Sequence, residues 1–320
     1  MSFFGGGTDY PVWFLKNSGK VLGTTINKYC YVTLRTLPSF FKHKYSISYS
    51  KLERVNEIDE LEHPVFRECM RFFNVKKGLE IHYDADLPGR SGLGSSSSFV
   101  VSLLNCLKKH ELGANYNTKK LAEDAIYVEQ ELIGDDVGNQ DQIHAAYGGF
   151  NCIEFKKNKG FSVEKLGGSS TNLKNINRRL LLFHTGIQRF ASNVAQRQIA
   201  KTPLLSNELR KMAGMVDTAK KIIQGPTKDL DDFGHLLHES WLLKRSLTSR
   251  ISNNEIDNLY QRGLNVGAIG GKLLGAGGGG FILFYSRKKY HQALLNELSE
   301  LTHVPFTFEK EGSKIIYSDR

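Results

Sequence analysis

Three glycine-rich segments carry residue types that can hold phosphate, metal or a sugar hydroxyl. The central one reads Pro88-Gly89-Arg90-Ser91-Gly92-Leu93-Gly94-Ser95-Ser96-Ser97-Ser98. Before it, Leu79, Ile81, Tyr83 and Ala85 alternate with Glu80, His82, Asp84 and Asp86, the period of a strand; after it, Phe99, Val100, Leu103, Leu104 and Leu107 recur at helical spacing. A strand, a Gly/Ser turn and a helix opening form an anion site: glycines admit close backbone approach, free amides of the first turn point outward, and serine hydroxyls bond oxygen or Mg²⁺. The GK[ST] ending of a P-loop is absent, and so is the protein-kinase pattern. A ligand-free flexible turn is the plain alternative, but four serines opening an apolar helix have little packing value.

The run Gly275-Ala276-Gly277-Gly278-Gly279-Gly280 satisfies GxGxxG, yet strand-like Phe281-Ile282-Leu283-Phe284-Tyr285 follows it, so it fails the dinucleotide-fold context. It is either a tight turn or a bare backbone surface that lets a second domain close on a ligand. In Gly5-Gly6-Gly7-Thr8-Asp9-Tyr10, Asp9 is either a turn-capping residue or an acceptor for two sugar hydroxyls.

Two further carboxylates stand out. At 100° per residue, Glu129 falls within about 40° of Ala122, Ala125 and Ile133, on the apolar face of its helix. A carboxylate there needs a cation or donors, which makes it a Mg²⁺ ligand or one half of a buried ion pair. The polar loop from Gly134 to Gln142 holds Asp135, Asp136 and Asp141. Asp141 could take a proton from a substrate hydroxyl or orient it, though composition does not separate it from the other two. His235, His238 and Glu239 do not form HExxH, and Trp241, Leu242 and Leu243 beside them point to helix packing.

Around these residues stand 320 residues, 40% hydrophobic and 11% aromatic, enough for two domains. Strands and helices mix without a regular βαβ rhythm, which predicts an α+β fold. One strand is expected from Lys20 to Leu37, a helix from Pro64, a helix with Thr118 as N-cap ending before Gly134, and a strand over Leu180 to Phe183. Helical sequence then runs to about Arg262. The polar stretch from Lys156 to Asn177 is the candidate domain boundary, giving domains at 1–170 and 171–320. Cys30, Cys69, Cys106 and Cys152 form no CxxC pair, and Met1 leads directly into Ser2-Phe3-Phe4 without a leader pattern, so a cytoplasmic setting without membrane attachment is expected. The net charge of +10 is spread in short pairs such as Lys108-Lys109 and Lys119-Lys120. Without a clustered basic footprint, a nucleic-acid partner is not expected.

Taken in order, the three glycine segments resemble the GHMP small-molecule kinases. Pro88 to Ser98 is similar to their PxxxGLGSS motif, Gly271 to Gly280 to GxKxxGAGxGG, and Gly5 to Tyr10 to their amino-terminal sugar-binding motif. The resemblance implies a ribosomal-S5-like amino-terminal half, a ferredoxin-like carboxyl-terminal half, and phosphoryl transfer from ATP with Mg²⁺. It implies that residues 88 to 97 hold the nucleotide, that Ser96 and Glu129 ligate Mg²⁺, and that Asp141, followed by Gln142 and then Gly148-Gly149, is the catalytic carboxylate. Gly6, Gly7, Thr8, Asp9, Gly277 and Gly278 would meet the substrate, with Arg90 and Arg189 as candidate donors to a substrate phosphate. The wording of the motifs points within the family to a kinase of a heptose 7-phosphate, with fucose or galactose as alternative acceptors and a non-catalytic nucleotide- and sugar-binding regulator as another class. A homodimer is left open. Relatives place a strand and a basic residue before the first glycine cluster, whereas here Met1-Ser2-Phe3-Phe4 stand alone before Gly5.

Overall fold

The computed structural model describes residues 1–89, 91–167, 171–187, 202, 205–226 and 230–319. Its chain groups into two compact units interleaved along the sequence: one holds 1–27, 90–93 and 149–310, the other 28–89, 94–148 and 311–320. These packing units and the expected halves, 1–170 and 171–320, are different partitions of the chain.

The first unit opens with β1 (Ser2–Phe4), α1 (Pro11–Asn17) and β2 (Gly19–Ile26). Short as it is, Ser2–Phe4 is a strand, because Phe3 and Phe4 are both fully buried and β2 pairs with it antiparallel. The expected single strand from Lys20 to Leu37 is two. β2 stops at Ile26, and β3 (Cys30–Thr36) starts in the second unit and joins another sheet. Strand-forming residues stand on both sides of the break, and the period-2 alternation lies in β3 alone, so neither reveals where a strand changes partners.

The second unit continues with β4 (Tyr45–Ser48), β5 (Leu52–Val55), α2 (Pro64–Phe72), β6 (Leu79–Ala85), α3 (Ser95–Leu112), α4 (Thr118–Tyr127) and α5 (Gln140–Tyr147). Its sheet runs β3-β6-β4-β5, with only the β4–β6 pair parallel. Ile47, Ile81, Phe66, Met70, Leu103 and Leu104 fill its core, where Phe66 and Phe99 meet edge to face at 4.9 Å. The N-cap of α4 is Asn117, one residue before the expected Thr118, and its side chain accepts from the amides of Lys119 and Lys120.

Returning to the first unit, β7 (Phe150–Phe155) and β8 (Phe161–Lys165) extend the sheet of β1 and β2. The polar stretch expected as a boundary thus contains β8 and α6 (Thr171–Asn177). There follow β9 (Leu180–His184), α7 (Ser206–Gln224), α8 (Asp231–Ser246), α9 (Asn254–Asn265), β10 (Ala268–Leu273), β11 (Phe281–Ser286), α10 (His291–Glu297), β12 (Thr302–His303) and β13 (Phe308–Glu309). A second antiparallel sheet runs β10-β11-β9-β12, while β13 returns to the first and pairs with the end of β2. Phe3 stacks on Phe150 at 5.4 Å, and Phe4 meets Phe233 of α8 edge-on at 5.2 Å.

Candidate active site

In the second unit the site is built on the start of α3. Gly94 is its N-cap, in the left-handed region at φ 76°, and the four serines form its first turn. Ser96 is exposed and Ser97 is buried. The Ser97 hydroxyl donates to Glu129, at 2.8 Å from Oε2 and 3.2 Å from Oε1. Glu129 has no exposed surface. It lies in a wider π-helical stretch, Val128–Ile133, that continues α4 and ends on Gly134 at φ 78°. Such stretches shift side chains off the regular helical spacing. Ile133, expected on the buried face with Glu129, is accordingly only half-buried.

The start of α5 supplies the third wall. Gln142 is fully buried, and its Nε2 donates to Glu129 Oε2. Asp141, one residue earlier, lies directly against Gly94: a Cβ on that glycine would sit 3.1 Å from Asp141 Cγ and 3.3 Å from Oδ2. Asp135 and Asp136 are exposed in the preceding loop, so packing separates the three acids that composition left equivalent. Burial pushes the Glu129 carboxyl up to about 7, helped by the charges of Asp141 and Asp135, while the bonds from Ser97 and Gln142 pull the other way.

In the first unit, the glycine run after β10 packs on residues 91 and 92. A Cβ on Gly280, whose φ is +99°, would lie 2.2 Å from the Ser91 carbonyl oxygen, and one on Gly92 would lie 2.8 Å from that of Leu274. The amide of Gly278 donates to Ile251 O at 3.0 Å, and Gly277 lies against the same residue. The buried Lys244 ammonium donates to the carbonyls of Leu273 and Gly275. Ser91 Oγ is buried without a partner among the described residues.

At the other glycine cluster, Gly7 N donates to Asp9 Oδ1 at 2.9 Å, so the turn-capping role of buried Asp9 is present. Thr8 Oγ1 ties the turn to β2 through Lys20. Pro88 and Gly89 are exposed. Arg90 and Arg189 lie outside the described residues. His238 stacks on Tyr260 and shares a 2.7 Å hydrogen bond with its hydroxyl, a packing arrangement within its own unit.

Profiles of known families match the chain twice: GHMP kinases N terminal domain over residues 61–149, and GHMP kinases C terminal over 218–302. The chain is also 30% identical over 326 residues to the D-glycero-alpha-D-manno-heptose 7-phosphate kinase of Campylobacter jejuni, an alignment covering 97% of this chain and 94% of that one. The chain belongs to the GHMP kinase family. This GHMP kinase is thus an ATP-dependent phosphotransferase with the family's two-domain α+β architecture. Among solved structures it resembles a D-glycero-D-manno-heptose 1-phosphate kinase from Bacteroides thetaiotaomicron, with TM-score 0.79, 23% identity and coverage of 99% of this chain and 97% of that one; this is a likeness of fold. A putative sugar kinase from Campylobacter jejuni matches with TM-score 0.70 and 27% identity, over 98% and 94% of the two chains.

Sequence reasoning did not foresee three sets of contacts: those of Ser97 and of Gln142 with Glu129, and, in the other unit, those of Lys244 with the carbonyls before the glycine run. Gln142 was noticed only as the neighbour of Asp141, Ser97 only as one serine of four, and Lys244 not at all. For Gln142 and Ser97 the only signal is that each adjoins an expected site residue; that both side chains are buried is seen in the structure. For Lys244 there was none, because its partners are backbone carbonyls about thirty residues away in sequence.

Proposed function

We propose that this GHMP kinase transfers the terminal phosphoryl group of ATP to the anomeric hydroxyl of a sugar phosphate, with D-glycero-D-manno-heptose 7-phosphate as leading acceptor. The observation that carries the chemistry is the placement of Asp141 against Gly94 at the opening of α3, with Ser97 of the same first turn bonded to Glu129. The acceptor rests on the Campylobacter relative, similar over nearly the whole of both chains.

Residues 88 to 97 hold the polyphosphate on the first-turn amides of α3. Ser96 and Glu129 hold Mg²⁺. The donor set suits it: a fully buried carboxylate that accepts from two neutral donors and has no cationic side chain bonded to it among the described residues. Mg²⁺ in this class of reaction neutralises charge on the phosphoryl oxygens. Asp141 accepts or orients the acceptor's hydroxyl proton. Gly6, Gly7, Thr8 and Asp9 grip sugar hydroxyls, Gly277 and Gly278 bring bare backbone to the acceptor, and Arg90 and Arg189 are donors for its phosphate. The functional halves are 1–170 and 171–320. The four free cysteines suit a reducing cytoplasm, and no described helix is long and apolar enough to cross a membrane.

The test is ADP release with Mg-ATP across heptose phosphates, fucose, galactose and mevalonate. Turnover of the heptose 7-phosphate is expected, and Asp141→Asn is expected to lower kcat by roughly 10²–10⁴-fold. Turnover of unphosphorylated hexoses alone would move the acceptor to fucose or galactose, and an unaltered Asp141→Asn would remove Asp141 from the chemistry.

A further inference from the structure

We propose that Ser97 and Gln142 are positioning residues that assign different tasks to the two oxygens of Glu129, holding Oε2 and leaving Oε1 for the metal. This rests on the reading of Glu129 as a Mg²⁺ ligand and deepens it. Oε2 accepts twice, from the Ser97 hydroxyl at 2.8 Å and from the Gln142 amide. Oε1 has only the longer 3.2 Å approach of the same hydroxyl. A hydroxyl has one proton, so the short contact takes it and Oε1 keeps its lone pairs.

Both partners come from elements that also carry expected site residues. Ser97 follows Ser96 on α3, and the turn of the helix buries the one while exposing the other. Gln142 follows Asp141 on α5. The Gln142 amide cannot be turned over at no cost, because its Oε1 would then face the carboxylate; as placed, that Oε1 is buried with no partner among the described residues. The carboxylate therefore has its rotation fixed from two sides, by one donor on each helix. Fixing a ligand in this way typically changes metal affinity by 10–100-fold.

The experiment titrates Mg²⁺ calorimetrically into the full chain held with a non-hydrolysable ATP analogue, for wild type, Ser97→Ala, Ser97→Thr, Gln142→Ala and Glu129→Gln, with thermal unfolding of each metal-free protein alongside. Ser97→Ala and Gln142→Ala are expected to weaken Mg²⁺ binding by about tenfold. The Mg²⁺ needed for half-maximal turnover should rise in parallel, and metal-free nucleotide binding by Gln142→Ala should not change. Ser97→Thr, which keeps the hydroxyl, restores most of the affinity. A merely structural pair would lower the unfolding temperature and leave Mg²⁺ affinity at the wild-type value, which overturns the inference. Should Glu129→Gln abolish Mg²⁺ binding while neither neighbour variant weakens it, only the positioning falls. If Glu129→Gln itself binds Mg²⁺ normally, the assignment of Glu129 falls and the positioning with it.

Discussion

A carboxylate with no exposed surface, pushed up to about 7 by burial, is half protonated near neutral pH in the metal-free enzyme. Its folded value lies above its ordinary value of 4.5, so its contribution to stability is complete below pH 4.5 and is lost as pH rises through 7. A bound cation reverses the preference, because it needs the ionised form. We expect the rise in unfolding temperature caused by Mg²⁺ with an ATP analogue to shrink as pH falls from 8 to 6. In Glu129→Gln that slope should vanish; a slope kept by the variant would show that another group titrates. His144 behaves oppositely. It is buried on α5, neither ring nitrogen has a partner among the described residues, and burial lowers it to about 3. Its contribution is present above its ordinary 6.5 and is lost as pH falls towards 3. His144→Leu strands no hydrogen-bond partner, so melts at pH 7 and pH 4.5 are expected to show the variant gaining on wild type at the lower pH. At this scale the sequence made Glu129 visible through charge on an apolar helix face, whereas Asp141 stood apart from Asp135 and Asp136 only through the family resemblance. It did not reveal the orientation of Glu129, which depends on donors from two other helices.

Among the elements, the junction of a glycine cap with a facing acid is the most exacting. Gly94 has φ 76° and would bring a Cβ to 3.1 Å from Asp141 Cγ. Gly94→Ala is expected to cost about 1–2 kcal/mol in backbone conformation. Because the new methyl also displaces the carboxylate, kcat should fall by roughly 10²-fold, well beyond any change in ATP affinity; denaturant melts and initial rates separate the two effects. Helix α3 was legible because apolar spacing, a glycine turn and a preceding strand agree. The π-helical stretch was not, since the sequence from Thr118 to Ile133 reads as one ordinary helix. The widening shows only where Gly134 and Asp135 both donate to the Glu129 carbonyl. Likewise, the split of 20–37 into β2 and β3 depends on which strands each half meets, a long-range choice that local alternation does not encode.

For the whole molecule, packing assigns residues 1–27 to one unit together with 149–310. Strands β1 and β2 are covered by α7, and β1 also by α8, both far downstream. A fragment of residues 1–170 retains β1, β2, β7 and β8 but exposes their buried face, including Phe3, Phe4 and Val21. We expect the amides of β1 and β2 to lose their protection from hydrogen exchange in this fragment and the fragment to bind hydrophobic dyes, whatever the second unit does; protected amides in β1 and β2 would show that these strands are stable without the helices. Length allows two domains, and the polar stretch read as their boundary holds β8 and α6, while the chain passes between packing units near residues 27, 90, 93, 148 and 310.

Strand β13 has a temporal consequence. Its Phe308 and Glu309 pair with Ile26 and Thr25, and the Thr25 hydroxyl donates to the Glu309 carbonyl at 3.0 Å. On a ribosome adding about 5–20 residues per second, the end of β2 therefore waits tens of seconds for its last neighbour. In that interval an unpaired strand edge is open to other nascent chains, and a slowed passage through the final codons would lengthen its exposure.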